Sequence, residues 1–210
     1  MSSENITEGV NVMDEKTNEY YIKLKTQLEP PTNHKIEILK CKDLHEVNVY
    51  CKANRLIGQQ LGPLTELYLI AKCQMTKNKA ADCIGDCKDK YMKDNEIKAS
   101  GGGKCHNKFN YVQLRPNHKI DNYILTAYYL NDDNINDLGE LFIFKIKKED
   151  MSPLIFNYGG YAHGTKVKHG EITLEDLNNV NNSKEYDLRP NYGGDLWKEL
   201  IKYRVTESEL

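Results

Sequence analysis

Apolar and polar residues follow two different periods along this chain. In the segment PLTELYLIAKCQM the apolar positions recur at the i, i+3, i+4 and i+7 spacing of an amphipathic helix. A proline fits the first turn of a helix, so the helix is expected to begin at Pro63. The pattern predicts that its core-facing side chains are those of Leu64, Leu67, Tyr68 and Ala71.

Three later segments, KFNYVQLRP, NYILTAYYL and ELFIFKI, have the composition of strands. They are rich in β-branched and aromatic residues, and polar or glycine-containing stretches separate them. The second is apolar enough to be a central strand. Further strands are expected at residues 35–39 and, as a pair around the polar turn 88–90, between residues 80 and 100.

Helices are expected around these strands. Residues 13–28 have amphipathic spacing and end at a proline pair, which cannot continue a helix. Thr173 precedes Asp176 by three residues, in the manner of a capping box, and so predicts a short helix that ends at Leu177. The segment DLWKELIKYRV predicts a last helix. Together the elements predict an α/β or α+β fold in which a central mixed β-sheet is flanked by helices.

The chain length of 210 residues predicts a single domain over residues 1–210, with a loose tail at residues 1–12. The net charge of −2 does not by itself indicate a nucleic-acid partner. Residues 72–119, however, contain eleven Lys or Arg against five Asp or Glu, a local excess of six positive charges. Such a cluster can bind phosphates, and it is also typical of a solvated lysine-rich face.

The sequence favours a cytoplasmic protein without a membrane partner. No run of about 18 apolar residues is present, as a transmembrane helix would need, and the acidic N-terminus lacks the apolar region of a secretory signal. Six cysteines without such a signal are expected to be reduced thiols, not a disulfide framework. The spacing C-x3-C followed by Cys-His is not a common zinc pattern.

The stretch NEIKASGGGK contains the most informative pair of charged residues. On a strand, alternate side chains share a face, so Glu96 and Lys98 are expected to point the same way while Ile97 faces the core. An acid and a lysine side by side on one strand face are the beginning of a catalytic site if a second acid lies nearby.

Two aspartates compete to be that second acid. A hairpin turn centred on Asp89 brings Asp82 opposite Glu96, whereas a turn centred on Tyr91 brings Asp86 there. The polar run around Asp89 is the more plausible turn, so Asp82 is preferred and Asp86 is kept as the alternative.

Two carboxylates that face one lysine make a site for Mg²⁺, which binds one or two carboxylates together with waters and phosphate oxygens. The metal ligands are then Asp82 and Glu96, and the reaction that this arrangement suits is phosphodiester hydrolysis. Lys98 can orient the attacking water and stabilise the charge that develops on the phosphate. Asp82, Glu96 and Lys98 are therefore the candidate catalytic residues.

The segment ADCIGDCKDKYMKDNEIKAS resembles the active-site hairpin of the PD-(D/E)XK nuclease superfamily. An acid enters one strand, a hairpin follows, and the next strand contains an acid, an apolar residue and a lysine. The preceding helix with Glu66 is similar to the first core helix of that fold. The segment NKFNYVQLRPNHKIDNYILTAYYL resembles the part that follows this motif in many type II restriction endonucleases. The resemblance covers about residues 60–146, and here alanine precedes the first acid where the family often has proline.

The resemblance implies a restriction-endonuclease-like core and a Mg²⁺-dependent DNA endonuclease, most similar to a type II restriction enzyme. It implies that Glu66 supports the metal site and that Gln113 lies near it. Such an enzyme cuts double-stranded DNA as a homodimer, because a two-fold protein matches a two-fold site. It also needs a cognate DNA methyltransferase as its genetic partner.

Other polar residues are candidates for DNA contact. Lys104 follows three glycines, whose backbone allows a phosphate to approach closely. Arg115 and Asn117 lie in a polar turn, and such side chains can contact guanine and adenine in the major groove. The loop YGGYAHGTKVKHG, with His163 and Thr165, is either a DNA-binding loop or an ordinary surface turn.

Three other functions remain open from the sequence. A repair or recombination nuclease of the same fold would prefer junctions or mismatches to linear duplex. A non-catalytic DNA-binding module would bind duplex DNA whether or not Mg²⁺ is present. A protein-interaction domain would show no salt-sensitive DNA binding at all.

Overall fold

The computed structural model describes residue 19 and residues 33–43, 46–47, 50–51, 54–56, 58–79, 83–103, 107–130, 140–162 and 170–210. The helices are α1 (His34–Lys40), α2 (Gly58–Lys72), α3 (Lys148–Tyr158), α4 (Leu174–Asn178) and α5 (Asp195–Ile201). The strands are β1 (Thr76–Lys77), β2 (Cys87–Lys88), β3 (Asp94–Gly103), β4 (Tyr111–Leu114), β5 (Asn122–Leu130), β6 (Glu140–Lys147), β7 (Gly160–Tyr161) and β8 (Tyr186–Leu188).

A mixed five-stranded sheet with the order β1-β2-β3-β5-β6 forms the centre of the fold. The pairs β1–β2, β2–β3 and β5–β6 are antiparallel, and β3–β5 is parallel. Between β3 and β5 the chain contributes β4 to a second, antiparallel sheet with the order β4-β8-β7. The prediction of a central mixed sheet flanked by helices is thereby confirmed.

The central sheet is apolar on both faces, which is why β5 could be recognised as an interior strand. Ile97 and Ile124 face α1 and α2 and are buried with Tyr68. The alternate residues of β5, such as Leu125, face the other side with the second sheet, α3 and α5. There the ring of Trp197 stacks on an aromatic ring 5.1 Å away and meets two further rings edge-on.

Residues 35–39 do not form the expected strand, because they belong to helix α1. The side-chain oxygen of Asn33 accepts the N–H of Lys35 at 3.1 Å and caps the helix. Ile38 is fully buried, whereas its apolar neighbours Ile36 and Leu39 are exposed. Because only one residue of this short helix is buried, its hydrophobic pattern is too weak to distinguish a helix from a strand.

Helix α2 begins at Gly58, not at Pro63, and Pro63 lies inside it. The helix extends further because Leu61 is already buried against the core. Ala71 is exposed, contrary to the expected core face, and Leu67 is only partly buried. The face that is buried shares the i, i+3, i+4, i+7 and i+8 spacing: Leu61, Leu64, Thr65, Tyr68 and Leu69.

Several other sequence predictions are confirmed. Strands β4 and β5 fall within their expected segments, β6 extends one residue beyond its own, and α5 lies in the segment DLWKELIKYRV. Thr173 caps α4, with its hydroxyl oxygen accepting the N–H of Asp176 at 3.1 Å. The sequence missed α3, which contains Pro153, and β8. Apart from residue 19, the expected helix at residues 13–28 lies outside the described residues.

The described cysteines are all free thiols, as the sequence indicated, namely Cys41, Cys51, Cys73, Cys83 and Cys87. Among the helices that the structure describes, none combines the length and the apolar character that crossing a membrane requires.

Candidate active site

The β2–β3 hairpin has a different register from the one preferred on sequence grounds. Cys87 pairs with Asn95 and Lys88 with Asp94, so the hairpin is centred on Tyr91. The expectation that it is centred on Asp89 is wrong.

Asp89 begins the turn because of the hydrogen bonds that its side chain and backbone make. Its Oδ1 accepts the N–H groups of Tyr91 and Lys93, each at 2.9 Å. Its own N–H donates to the carbonyl of Lys93 at 2.9 Å, which closes the loop. The side chain is buried, and Oδ2 lies 3.3 Å from Nζ of Lys145. A buried aspartate that accepts turn N–H groups precedes the turn's centre.

With this register, Asp86 is the residue that lies across from Glu96. The N–H of Asp86 donates to the carbonyl of Asn95 at 2.8 Å, and Oδ2 accepts the N–H of Ile97 at 2.7 Å. The aspartate is thus fixed against the strand that carries Glu96. Asp82 lies outside the described residues, and its role as a metal ligand stays a prediction.

Gly85 permits this close approach of the segment before β2 to strand β3. Its φ is +81°, in the left-handed region, and a Cβ atom at this position would lie 2.6 Å from the carbonyl oxygen of Asn95. Only glycine fits both constraints without a shift of the backbone. Gly85 therefore allows the Asp86 carboxylate to lie close to strand β3. A larger residue at position 85 would force the two segments apart.

A cavity of about 340 Å³ surrounds these groups. It brings together four residues that the sequence singled out, Glu66, Glu96, Lys98 and Arg115, and the alternative acid Asp86. The rest of its lining is Lys77, Asn78, Gly85 and His118.

Glu96 and Lys98 share one face of β3, as expected, and Ile97 between them is buried on the other side. Nζ of Lys98 lies 2.5 Å from Oε1 of Glu96. The side chains of Glu96 and Lys98 are only 6% and 19% exposed, so the lysine is a positive charge held inside the cavity.

The carboxyl group of Asp86 is electrostatically strained. Burial, and next the negative charge of Glu96, raise its pKa from 3.8 to about 6, against the opposing effects of the Ile97 N–H bond and the Lys98 charge. The only hydrogen bond to this carboxylate from a described residue is the one from Ile97, which reaches Oδ2. Oδ1 therefore has room for a further partner.

These features fit a divalent cation. A cation between Asp86 and Glu96 would relieve the repulsion that raises the aspartate's pKa, and Mg²⁺ needs no more than one or two carboxylates from the protein. In the described part of the chain, no group of three or more His, Cys, Asp or Glu side chains converges as a metal cage. Two carboxylates alone would leave coordination positions for waters and phosphate oxygens.

Glu66 is supplied by helix α2, as the resemblance implied. Its Oε1 accepts from Nζ of Lys77 at 2.8 Å, and burial of the glutamate is partial. Lys77 itself lies on the edge strand β1 and is mostly exposed, so this pair lies at the rim of the cavity.

His118 is a cavity residue that the sequence analysis did not single out. Its Nδ1 lies 3.4 Å from Oε2 of Glu96, and its side chain is 14% exposed. The turn that presents it is held by Nζ of Lys148, which donates to the His118 carbonyl, and by the N–H of Lys119, which donates to Cys83 at 2.8 Å. Because these anchors are distant in sequence, only its place in the segment RPNHKI could have drawn attention to it.

The candidate DNA-contacting residues differ in their position relative to the cavity. Arg115 lines the cavity but is paired with Glu185, whose Oε1 lies 2.5 Å from Nη2. Gln113 lies on the irregular strand β4 with φ +59° and is not among the cavity residues. Asn117 has a buried Oδ1 without a hydrogen-bond partner. Lys104, His163 and Thr165 lie outside the described residues.

Comparison with known proteins gives no assignment, since a scan of protein-family models matched no family and a search of curated proteins found no significant match. The geometry gives the site four components: Glu96 on β3, Asp86 in the segment just before β2, Lys98 on the same face of β3 as Glu96, and Glu66 from the preceding helix.

Proposed function

We propose that this protein is a Mg²⁺-dependent endonuclease that hydrolyses phosphodiester bonds in double-stranded DNA, with a core of the PD-(D/E)XK type. The supporting observation is that Asp86, Glu96 and Lys98 line one cavity, with Asp86 just before β2, Glu96 on the neighbouring strand β3 and Lys98 two residues after Glu96. Glu66 on the preceding helix completes the order of features that the resemblance implies.

Asp86 and Glu96 would hold the metal ion, with Glu66 supporting it from α2. Mg²⁺, when bound, supplies a water of lowered pKa and offsets charge on the phosphate. Lys98 donates a hydrogen bond towards the attacking water and stabilises the negative charge that grows on the phosphate oxygens. His118 contacts Glu96 from the opposite side to Lys98 and keeps that carboxylate oriented.

The particular activity proposed is that of a type II restriction enzyme in the cytoplasm, with a homodimer cutting both strands of a short palindrome. The local excess of lysines and arginines in residues 72–119 supports a polyanionic substrate. A DNA methyltransferase encoded beside the gene would fit this assignment, because a restriction enzyme requires protection of the host's own sites.

The test is cleavage of unmethylated plasmid by the purified protein with millimolar Mg²⁺, and with EDTA as the metal-free arm. Discrete fragments are expected with Mg²⁺ and none with EDTA. Removing one charge-stabilising donor typically lowers the rate about 10²- to 10³-fold, so Lys98→Ala should lose the fragments. Lys90→Ala, which changes an exposed lysine of the same hairpin, is the matched control and should cut normally.

The choice between the two aspartates is tested in the same assay. Asp86→Asn should abolish cleavage, whereas Asp82→Asn should reduce it much less. Unchanged fragments from both Lys98→Ala and Asp86→Asn would refute the proposed site. Cleavage restricted to branched or mismatched DNA would instead assign the protein to repair or recombination.

A further inference from the structure

The turn that carries His118 also lines a second cavity, which at about 580 Å³ is larger than the first. Its other walls are the beginning of α3, the end of α4 and the β2–β3 hairpin. The volume is in the range of sites that enclose organic ligands of nucleotide size. The proposed catalytic chemistry uses none of the side chains that line this cavity.

Lys148 is the unusual residue of this cavity. Its Nζ donates to the main-chain carbonyl of His118, and no described carboxylate forms an ion pair with it. Burial lowers the pKa of its ammonium group, so the charge is partly removed from water. A partly desolvated cation without a counter-charge is unfavourable, and an anion that entered the cavity would offset that cost.

The two other lysines of the cavity are held only weakly by acids. Lys93 lies 3.0 Å from Asp121, and Lys147 lies 3.6 Å from Glu149, and in both pairs the side chains are substantially exposed. Exposed pairs of this kind contribute little to stability because water screens them, so either lysine is available to a stronger anion. The cavity therefore offers three cations to a ligand.

Part of the wall is apolar, which argues against a bare inorganic ion as the occupant. Ile120 and Leu177 are buried side chains that line the cavity, and Pro116 extends the same surface. An anion that carries an organic group can place its charge on the lysines and its organic part on these side chains. A phosphate ester has both parts.

A short path joins this cavity to the candidate active site. Lys148 contacts the carbonyl of His118, and the ring of the same His118 contacts Glu96. A strand of DNA that passes over this turn would meet both cavities.

We propose that the larger cavity binds a phosphate ester through Lys148. The ester is a backbone phosphate of the DNA strand that is cut, adjacent to the scissile phosphate. The identity of the strand rests on the proposed function. The uncompensated charge of Lys148 and the mixed wall of the cavity are independent of it.

The experiment measures binding without chemistry, by fluorescence anisotropy of a short duplex in EDTA over a range of salt concentrations. One phosphate contact contributes about 0.9 to the slope of log affinity against log salt. Lys148→Met should therefore flatten the slope by about one and weaken binding roughly five- to tenfold at moderate salt. Lys198→Ala, an exposed lysine on α5, is the control and should bind like the wild type.

Lys147→Ala provides a second variant in which folding is not at risk, because that side chain is 70% exposed. It should weaken binding two- to threefold in the same assay. Unchanged affinity and salt slope in both variants would overturn the proposal.

A second arm separates the two possible sources of the ester, with deoxyadenosine monophosphate as the probe and thermal unfolding as the readout. In one outcome, the nucleotide raises the melting temperature of the wild type but not of Lys148→Met, while duplex binding is the same in both proteins. This result would show that the cavity binds a free nucleotide and would overturn the proposal that it binds a DNA strand. If duplex binding depends on Lys148 but the protein never cuts DNA, phosphate binding in the larger cavity would be supported and the proposed nuclease activity would be refuted.

Discussion

Nζ of Lys98 lies 2.5 Å from Oε1 of Glu96, and Nδ1 of His118 lies 3.4 Å from the other oxygen of the same carboxylate. Glu96 is thus held between a lysine from its own strand and a histidine from a turn that follows β4. The contact between Glu96 and Lys98 means that neither residue can be changed without disturbing the other.

The two residues should therefore be energetically coupled. In a double-mutant cycle with Glu96→Gln and Lys98→Met, we expect an interaction free energy of about 1–2 kcal/mol, as measured for contacting polar residues. Urea unfolding at pH 8 gives the free energies. The exposed pair Glu199 and Lys202, at 2.6 Å, is the geometric control and should couple much more weakly, because solvent screens its charges. Equal coupling in both cycles would contradict a buried, functional pair.

The raised pKa of Asp86 makes stability depend on pH in a defined direction. Because the pKa is about 6 in the folded state and its ordinary value is 3.8, the folded protein binds this proton more tightly, and stability falls as pH rises from about 4 to above 6. Asp86→Asn does not lose stability in this way, because an asparagine side chain does not titrate. Its free energy of unfolding should exceed that of the wild type by about 1–2 kcal/mol at pH 8, after allowance for partial exposure, and by nothing at pH 4.

Asp121 provides the control of opposite sign. The hydrogen bond from Lys93 lowers its pKa, so its contribution to stability is present above the unfolded pKa and is lost as pH falls. Asp121→Asn should destabilise the protein about equally at pH 8 and pH 4, which both lie above the ordinary pKa of 3.8, and much less at about pH 2. If the two substitutions showed the same pH dependence, the electrostatic account of Asp86 would fail.

Gly85 should be much less tolerant of substitution than other glycines with positive φ. Gly85→Ala places a Cβ atom 2.6 Å from the Asn95 carbonyl oxygen, in addition to the left-handed strain. Gly193 has φ +74° but nothing within 4 Å of the same atom, so Gly193→Ala should cost only about 1 kcal/mol. We expect Gly85→Ala to cost about 3 kcal/mol or more and to abolish cleavage, as judged by thermal unfolding and the plasmid assay.

The pairing of Arg115 with Glu185 restrains an arginine that lines the cavity. Glu185→Gln removes the charge of the partner and should free Arg115 to contact phosphate. Duplex affinity should rise about three- to tenfold and the salt slope should steepen by about one. In Arg115→Ala the same Glu185→Gln change should have a much smaller effect, and an equal effect would show that the gain comes from net charge alone.

Local sequence patterns predicted the elements whose determinants are local. The apolar run of β5 and the cap formed by Thr173 needed no information from the rest of the chain. The shared face of Glu96 and Lys98 followed from the alternation of side chains along a strand. Accordingly, the central sheet and half of the candidate site were predictable.

The hairpin register was not predictable, because it depends on contacts between distant residues. Asp89 accepts turn N–H groups only because its side chain is buried and paired with Lys145, 56 residues later. His118 reaches Glu96 because Lys148 holds its turn from another element. Such pairings cannot be inferred from composition and residue spacing. The preference for Asp82 over Asp86 therefore rested on a hairpin turn placed at the wrong residue.

The parallel pairing of β3 with β5 has a consequence for the order of events during folding. Asn95 pairs with Asn122, 27 residues away, and the intervening chain contributes β4 to another sheet. Pairings of high sequence separation form slowly, since the entropy of closing the loop is lost before the contacts form. The β2–β3 hairpin can form early by itself, but His118 joins Glu96 only when β5 docks. Under the proposed function, cleavage activity should therefore appear with the slowest refolding phase, so that a newly made chain would not cut DNA until its fold is complete.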